Sequence, residues 1–523
     1  MHFDNLFAYG RPTGNPNFDD QQLFWRGDRT DTPIETNADG FFLYDEGHVY
    51  NEFLKQQINT LTPLDLQITT QLSPNHTLQA GFQLNLHTLR TYQHLTPTFI
   101  SRTNQSLTNV IKYGYDLDLQ TQSLQTSEDA HHPRDATFYI HTKTEFKGVI
   151  ADFGMRFDYF SARTSLPSND LASLGGDAIL EDSERVPSQS FLSLSPRVGL
   201  TLHITQQSAF HAHFGVFRQI PNYATLFTDL NYFAKRVSQL RTTYAFGYPN
   251  LQLARTSAFE MGLSHNISPQ THLDATVYFK RTVQLTQRTT ILAQPTYYDT
   301  YRNTNIATLR GVELTAQLQP ESFLALQVAY GYSYHTGTGI SDYPEIDLSP
   351  GFPTYLGTPS ARSIPLSSER RHALIAQINF QFPAAFWAHV LLRTSTGRAY
   401  TPTEPVSAQI GFLNVVPNSG ALHSARSPGF FQIDLKTGKT FDLRSFQMNF
   451  FVTATNITNH FNIREVYSAT GNPHVSGWLA SEDGREYLTQ FGETGRQIYE
   501  TKEQNPLNNG SPRHILFGTL IRF

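Results

Sequence analysis

The chain has 523 residues, a formal net charge of −5, 13% aromatic residues, 33 glycines and no cysteine, with a mean hydropathy of −0.37. That balance excludes a disordered chain, a disulfide-stapled scaffold and thiolate chemistry, and no run approaches the ~18 consecutive apolar residues that a membrane helix requires. Near-neutral charge leaves no electrostatic footprint for nucleic acid.

Met1-His2-Phe3-Asp4-Asn5 opens a polar stretch rich in Asn, Asp, Gly and Pro that runs to about Asp39. It has no basic start, no apolar segment and no cleavage site, so no signal peptide is visible. Residues 1–60 read as an irregular, loop-like segment ahead of a second region, 61–523, in which one pattern recurs.

The pattern is a hairpin whose two arms alternate apolar and polar residues. Leu64, Leu66, Ile68 and Leu72 share one face before the turn Ser73-Pro74-Asn75, and Leu78, Ala80, Phe82, Leu84 and Leu86 share it afterwards. Period-two alternation bounded by turn residues is the signature of a half-buried strand pair. The scheme returns around Lys147-Gly148, Thr205-Gln206-Gln207, Ser268-Pro269-Gln270, Pro320-Glu321-Ser322 and Pro383-Ala384-Ala385. Near the end, Phe431, Ile433 and Leu435 precede Phe446, Met448, Phe450 and Val452. The closing strand His514–Phe523 aligns Ile515, Phe517, Thr519, Ile521 and Phe523. About fifteen strands are visible.

Turns within hairpins are short, whereas the links between hairpins are long and polar: roughly 88–135, 162–190, 218–257, 284–308, 335–370, 397–429 and 456–513. Asn109 to Leu119 fits best as a hairpin arm within the first link. Short turns on one side and long loops on the other characterise outer-membrane barrels, whose strands put one face to lipid and one to a wet lumen. A soluble sandwich has turns at both ends. The sequence therefore predicts an all-β, antiparallel transmembrane outer-membrane barrel, and the terminal Phe523 sits where a barrel's last strand meets the lower membrane interface.

Several stretches resemble the barrel of TonB-dependent outer-membrane receptors. They are Ala136–Tyr159 with Gly154-Met155-Arg156-Phe157-Asp158-Tyr159, Ser195-Pro196-Arg197-Val198-Gly199, Asn250–Leu263, Arg310-Gly311-Val312-Glu313-Leu314, Arg371-His372 and Ala454-Thr455-Asn456-Ile457-Thr458-Asn459. The likeness spans about residues 60–523 and is strongest to the branch with an N-terminal carboxypeptidase-regulatory-like domain. It implies a barrel of 22 strands, of which some 15–16 are visible here. It also implies active uptake in which an inner-membrane TonB complex pulls on an N-terminal plug, and a closing strand read by the barrel assembly machinery. Nothing in residues 1–60 matches the plug or its coupling motif. The expectation is a C-terminal part of a receptor gene whose biological start lies elsewhere, or a reduced relative without energised transport.

Strand direction sharpens that expectation. With every short turn on the periplasmic side, Leu64–Leu72 and His514–Phe523 both run downward, and an odd strand count would force a parallel seam against the antiparallel rule. An open or incomplete sheet is predicted, its first strand lacking an antiparallel neighbour unless residues 1–60 supply one. Gly40–Tyr50 is the candidate.

No enzyme site emerges: there is no G-x-S-x-G elbow, no H-E-x-x-H and no P-loop. Among twenty histidines, His131-His132, and His211 with His213, could bring two imidazoles together, but a metal site wants three or four ligands, so they read as polar lumen or loop residues and neither metal nor cofactor is assigned. The inward charges Arg156, Asp158, Arg197, Glu260, Asp274, Lys280, Glu313, Arg393, Asp434 and Lys436 read first as an interstrand network and second as a solute path. Tyr159, Tyr330, Tyr332 and Tyr334 suit an interfacial girdle. Ligand-binding residues are left unassigned. The leading reading is an outer-membrane receptor or transporter for an organic solute or metal chelate, in a Gram-negative type envelope. A passive porin-like or structural barrel comes next, and a soluble β-rich adhesin or binding module third.

Overall fold

A computed structural model of the chain describes residues 2–9, 35–36, 42–43, 53–94, 110–115, 129–171, 180–238, 245–294, 296–319, 323–338, 363–405 and 419–523. Its main element is one sheet of nineteen strands. Sixteen of them have eight residues or more: β1 His2–Tyr9, β2 Phe53–Ser73, β3 His76–His94, β4 Arg134–Phe146, β5 Val149–Ser161, β6 Ser190–His203, β7 Ser208–Gln219, β8 Ala254–Ser268, β9 Thr271–Ile291, β10 Tyr298–Leu318, β11 Leu324–Gly337, β12 His372–Phe382, β13 Phe386–Ser395, β14 Phe430–Leu443, β15 Phe446–Thr455 and β16 His514–Arg522. Each pairs antiparallel with the next in the chain.

The outer face of this meander is greasy and uncovered. Along β5, Phe153 and Phe157 are 48% and 40% exposed, while the alternate Gly154 points inward and is buried. Phe450 on β15 and Phe517 on β16 are exposed likewise. In water such a surface would aggregate, so this face requires an apolar solvent. Lipid supplies it. The short turns match the backbone twist: at the β4–β5 turn Lys147 and Gly148 both have positive φ, 47° and 83°, as a two-residue type I′ turn demands. Where Pro63 removes a donor, the β2–β3 ladder shifts register between Leu61 and Leu64.

The fifteen strands read from the sequence are β2 to β16. The sixteenth corrects the expectation about the first strand. β1, not Gly40–Tyr50, lies beside β2, and of the latter segment Phe42–Leu43 pairs with Glu35–Thr36 outside the main sheet. The boundary drawn at residue 60 falls inside β2. β1 faces only Leu54–Leu61 of β2, so among the described residues the lower half of that edge has no partner, and β16 pairs with β15 alone. Among the described residues the sheet is not closed.

The link predicted at 284–308 is instead mostly strand, since β9 and β10 run on as a 21-residue pair above the bulge at Gln284, φ 63°. Above the lipid both faces meet water, so alternation of apolar residues is no longer demanded and the strand disappears from the hydrophobic pattern. Val110–Tyr113 is an arm on the upper end of β3, as the sequence suggested.

Side chains from the long links fold into a second body at the upper end. It contains α1 Tyr223–Leu226, opened by Asn222 accepting from the Ala224 N–H, and α2 Leu230–Ser238. Leu226, Phe227, Leu251 and Leu253 close on Leu89 of β3 and Phe160 of β5, with Ile58 and Phe191 beside them. Next to this, Tyr232, Phe233 and Val237 pack on Phe246, Ala293 and Tyr298. Most fully buried hydrophobic side chains of the described residues lie in this cap. A third helix, α3 Glu482–Glu503, capped by Ser481 and kinked at Gly492, fills the link before β16.

Candidate functional site

The inner wall of β4 to β10 carries the chemistry. Register places its inward side chains in tiers. One tier reads Gly154, Arg197, Gly215, Ala258 and Lys280 across β5 to β9. The tier below reads Asp152, Gly199, His213, Glu260 and Tyr278 over the same strands. Together with His141 and Phe217, all of these residues but Tyr278 line a cavity of about 640 Å³.

Small residues are there because rings lie over them. A Cβ at Gly199 would stand 2.8 Å from His213 Nδ1, one at Gly215 2.9 Å from the Phe217 ring, and one at Gly262 2.5 Å from His211 Nε2. Gly199 and Gly262 thus receive the imidazoles of the neighbouring β7, and Gly215 the ring of Phe217 on its own strand.

The predicted interstrand network forms in part. Arg156 donates to Asp158 at 2.7 Å and to the Thr137 hydroxyl at 3.1 Å. Arg393 donates to Asp434 at 2.7 Å, and Asp434 also accepts from Gln432 and from the Asn456 N–H. Asp274 accepts from Ser264 at 2.5 Å and from Thr276 at 3.0 Å. These contacts tie strands together. Arg197, Glu260, Lys280, Glu313 and Lys436 form no ion pair among the described residues; Arg197 lies over the Phe217 ring at 4.7 Å and Lys280 over Tyr278 at 5.4 Å.

The histidines separate. His211 and His213 are neighbours, ring centroids 5.9 Å apart, but among the described residues no group of three His, Asp or Glu gathers to hold a metal. His131 leaves its sequence neighbour and enters the cap, stacked on Phe227 at 4.5 Å and tilted against Tyr113 at 4.4 Å. Burial there, with the charge of His132 nearby, pushes its imidazole down to about 3. His132 stays near Thr88 at 3.3 Å.

Tyr330, Tyr332 and Tyr334 climb the outward face of β11. Tyr330 meets His372 at 2.8 Å, and Tyr334 lies between the guanidinium groups of Arg310 and Arg371, each 5.0 Å from its ring. Amphipathic rings and snorkelling cations at that height suit a membrane interface.

Links are bolted to the wall by buried or half-buried ion pairs. Arg302 of β10 meets Asp170 at 2.5 Å and spreads over Tyr248 at 3.6 Å, while the fully buried Glu369 joins Arg371 at 3.3 Å and also Arg426. The pairs Arg302 with Asp170 and Arg426 with Glu369 were not visible in the sequence, because they span 132 and 57 residues.

A family model for the TonB-dependent-receptor-like β-barrel matches residues 2–459. No curated protein matches the sequence. Among solved structures, the copper transporter OprC superposes with a TM-score of 0.52 at 12% identity, over 94% of this chain and 59% of that one. FpvA of P. aeruginosa in its pyoverdine–Fe complex gives 0.50 at 10% identity over 90% and 49%. FpvAI bound to pyocin S2 gives 0.52 at 10% identity over 90% and 48%. The chain spans about half the length of the structures it matches. A family match over most of the chain, on an antiparallel meander with its apolar residues turned outward, means that this protein belongs to the TonB-dependent-receptor-like β-barrel family.

Proposed function

We propose that the chain is wall material of an outer-membrane receptor that admits an organic solute or metal chelate, working with a plug and the TonB energy-coupling complex. The observation that carries this reading is the division of the sheet between an uncovered apolar outer face and a charged, polar inner one, in a member of a receptor family. The structures matched include a copper transporter and a receptor holding a ferric pyoverdine, which supports a metal or its chelate as the class of cargo. Support for a partnered rather than autonomous wall comes from the lower edge of β2 and the outer edge of β16, which have no strand partner among the described residues. An unsealed edge in lipid leaves backbone groups without partners, each costing several kcal/mol, so this sheet suits a passive pore poorly.

Fractionating cells that make the protein tests the reading. The protein is expected in the outer membrane, resistant to urea washing and heat-modifiable. The membranes, fused to planar bilayers, are expected to show no steady conductance attributable to it. Recovery as a soluble protein would sink the membrane reading, and a stable ohmic pore would favour the porin-like one.

A further inference from the structure

The wall pairs Arg156, Arg288 and Arg393 with carboxylates on the same or a neighbouring strand, and Arg302 with Asp170 of a link. Arg197 and Lys280 break that habit. They occupy one tier, separated only by Gly215 and Ala258. Three interstrand spacings put their backbones roughly 14 Å apart. Each is held by a ring instead of a counter-ion: Phe217 under the guanidinium, Tyr278 under the ammonium.

Between them the floor is low. Gly215 and Ala258 offer at most a methyl group, Gly154 leaves the wall equally bare on the other side of Arg197, and the rings of His213 and Phe217 lie down over Gly199 and Gly215. This makes a slot walled by aromatic faces with a cation at each end, inside the 640 Å³ cavity. Of the two carboxylates lining it, Asp152 is drawn to His141 at 3.4 Å and faces Lys143 across the β4–β5 ladder. Glu260 remains, directly opposite His213, with no cationic partner among the described residues.

We infer that this slot binds a small solute with two acid groups, carboxylate or phosphate, one for Arg197 and one for Lys280. The inference rests on the uptake reading and names a cargo class for it. Charge-assisted hydrogen bonds supply the attraction, the rings hold the cations in position, and Glu260 weakens the site, so that binding stays loose enough for release.

The test uses outer membranes from cells making the protein, with assembly of every variant checked by heat-modifiability. Equilibrium binding of radiolabelled citrate and of inorganic pyrophosphate is measured at low and high salt. Saturable, salt-sensitive binding of either probe is expected, with citrate alone indicating a carboxylate cargo and pyrophosphate alone a phosphate one. Arg197→Gln and Lys280→Gln should each weaken it about tenfold or more, Arg197→Lys should restore part of it, and Glu260→Gln should tighten it. Arg156→Gln, outside the slot, should leave it unchanged. Assembled protein that binds neither anion, variants that bind equally, or weaker binding in Glu260→Gln would overturn the inference. A protein missing from the outer membrane would instead overturn the uptake reading beneath it.

Discussion

The barrel wall and the cap at its upper end follow opposite rules. In the wall the apolar residues face outward: Phe153, Phe157 and Phe450 are 40–48% exposed, and the interior holds charges and glycines. In the cap the apolar residues face inward: Leu226, Leu251, Phe160 and Val237 are fully buried among other apolar side chains. Both regions bury greasy surface away from water, but the wall uses lipid and the cap uses itself. One chain therefore contains an inside-out protein and an ordinary one, joined within single strands such as β3 and β5.

The sharpest way to break this comparison is to truncate one phenylalanine from each region on the same strand. Phe160→Ala leaves a cavity in the cap and should destabilise it by ~3–5 kcal/mol, whereas Phe153→Ala only exchanges one lipid contact for another and should cost far less. Thermal loss of heat-modifiability and protease sensitivity of residues 220–253 measure the two. Equal effects would mean that the regions do not differ as described.

Charge is the next discriminator. Arg at Phe153 or Phe450 places a cation in hydrocarbon and should cost ~2–4 kcal/mol, while Asn449→Arg points into the wet lumen and should be tolerated. An assembly assay in which all three behave alike would contradict the assigned faces.

Acid should loosen the cap before the wall. Released His131 titrates near 6.5, but in the cap burial holds it down to about 3. Falling pH therefore protonates the open form first, so stability is present above about pH 6.5 and is lost progressively toward pH 3. At pH 5 the loss should be ~2 kcal/mol. Burial raises the carboxyl of Asp229, which acts in the opposite direction. The informative quantity is the difference between the parent and His131→Phe, which keeps the stacking on Phe227 and removes the titration. If protease sensitivity of the cap follows the same pH curve in both, His131 is not the sensor.

The smallest effect belongs to the inner wall. Gly262→Ala forces its methyl against His211 and Thr276, 2.5 and 2.6 Å away. Both are side-chain contacts that can tilt aside, for a cost of ~1 kcal/mol. Thermal midpoints of the assembled protein would show it.

The same contrast explains what could be read from the sequence. Lipid on one side forces a strict alternation, so all fifteen strands from β2 to β16 were legible, down to turns such as Lys147-Gly148. Once the β9–β10 hairpin rises above the lipid that constraint lapses, and Leu285–Ile291 looked like loop. The cap was missed because its apolar residues come from segments far apart in the chain, and distance in sequence hides a shared core; α3, whose ring contacts are local, was missed because Gly484, Gly492 and Gly495 within it argue against a helix. At the candidate site, the ten inward charges were identifiable from alternation alone. Their division was not: Arg156 with Asp158 lies two residues apart, but Arg393 with Asp434 is forty-one apart. The inward glycines Gly154, Gly199 and Gly215 did carry a signal. Small residues at alternate inward positions mark where a nearby ring lies or where the wall is hollow.

Because the chain has no cysteine, a single-cysteine scan through β5 from Ala151 to Asp158 tests the membrane-facing account most directly. Each variant, in intact outer membranes, is treated with a charged aqueous maleimide and, separately, with a lipid-dissolved one. Positions 151, 153, 155 and 157 should react with the lipid-borne reagent, and positions 152, 154, 156 and 158 with the aqueous one, in strict alternation. Uniform aqueous labelling at both sets of positions would contradict the membrane barrel.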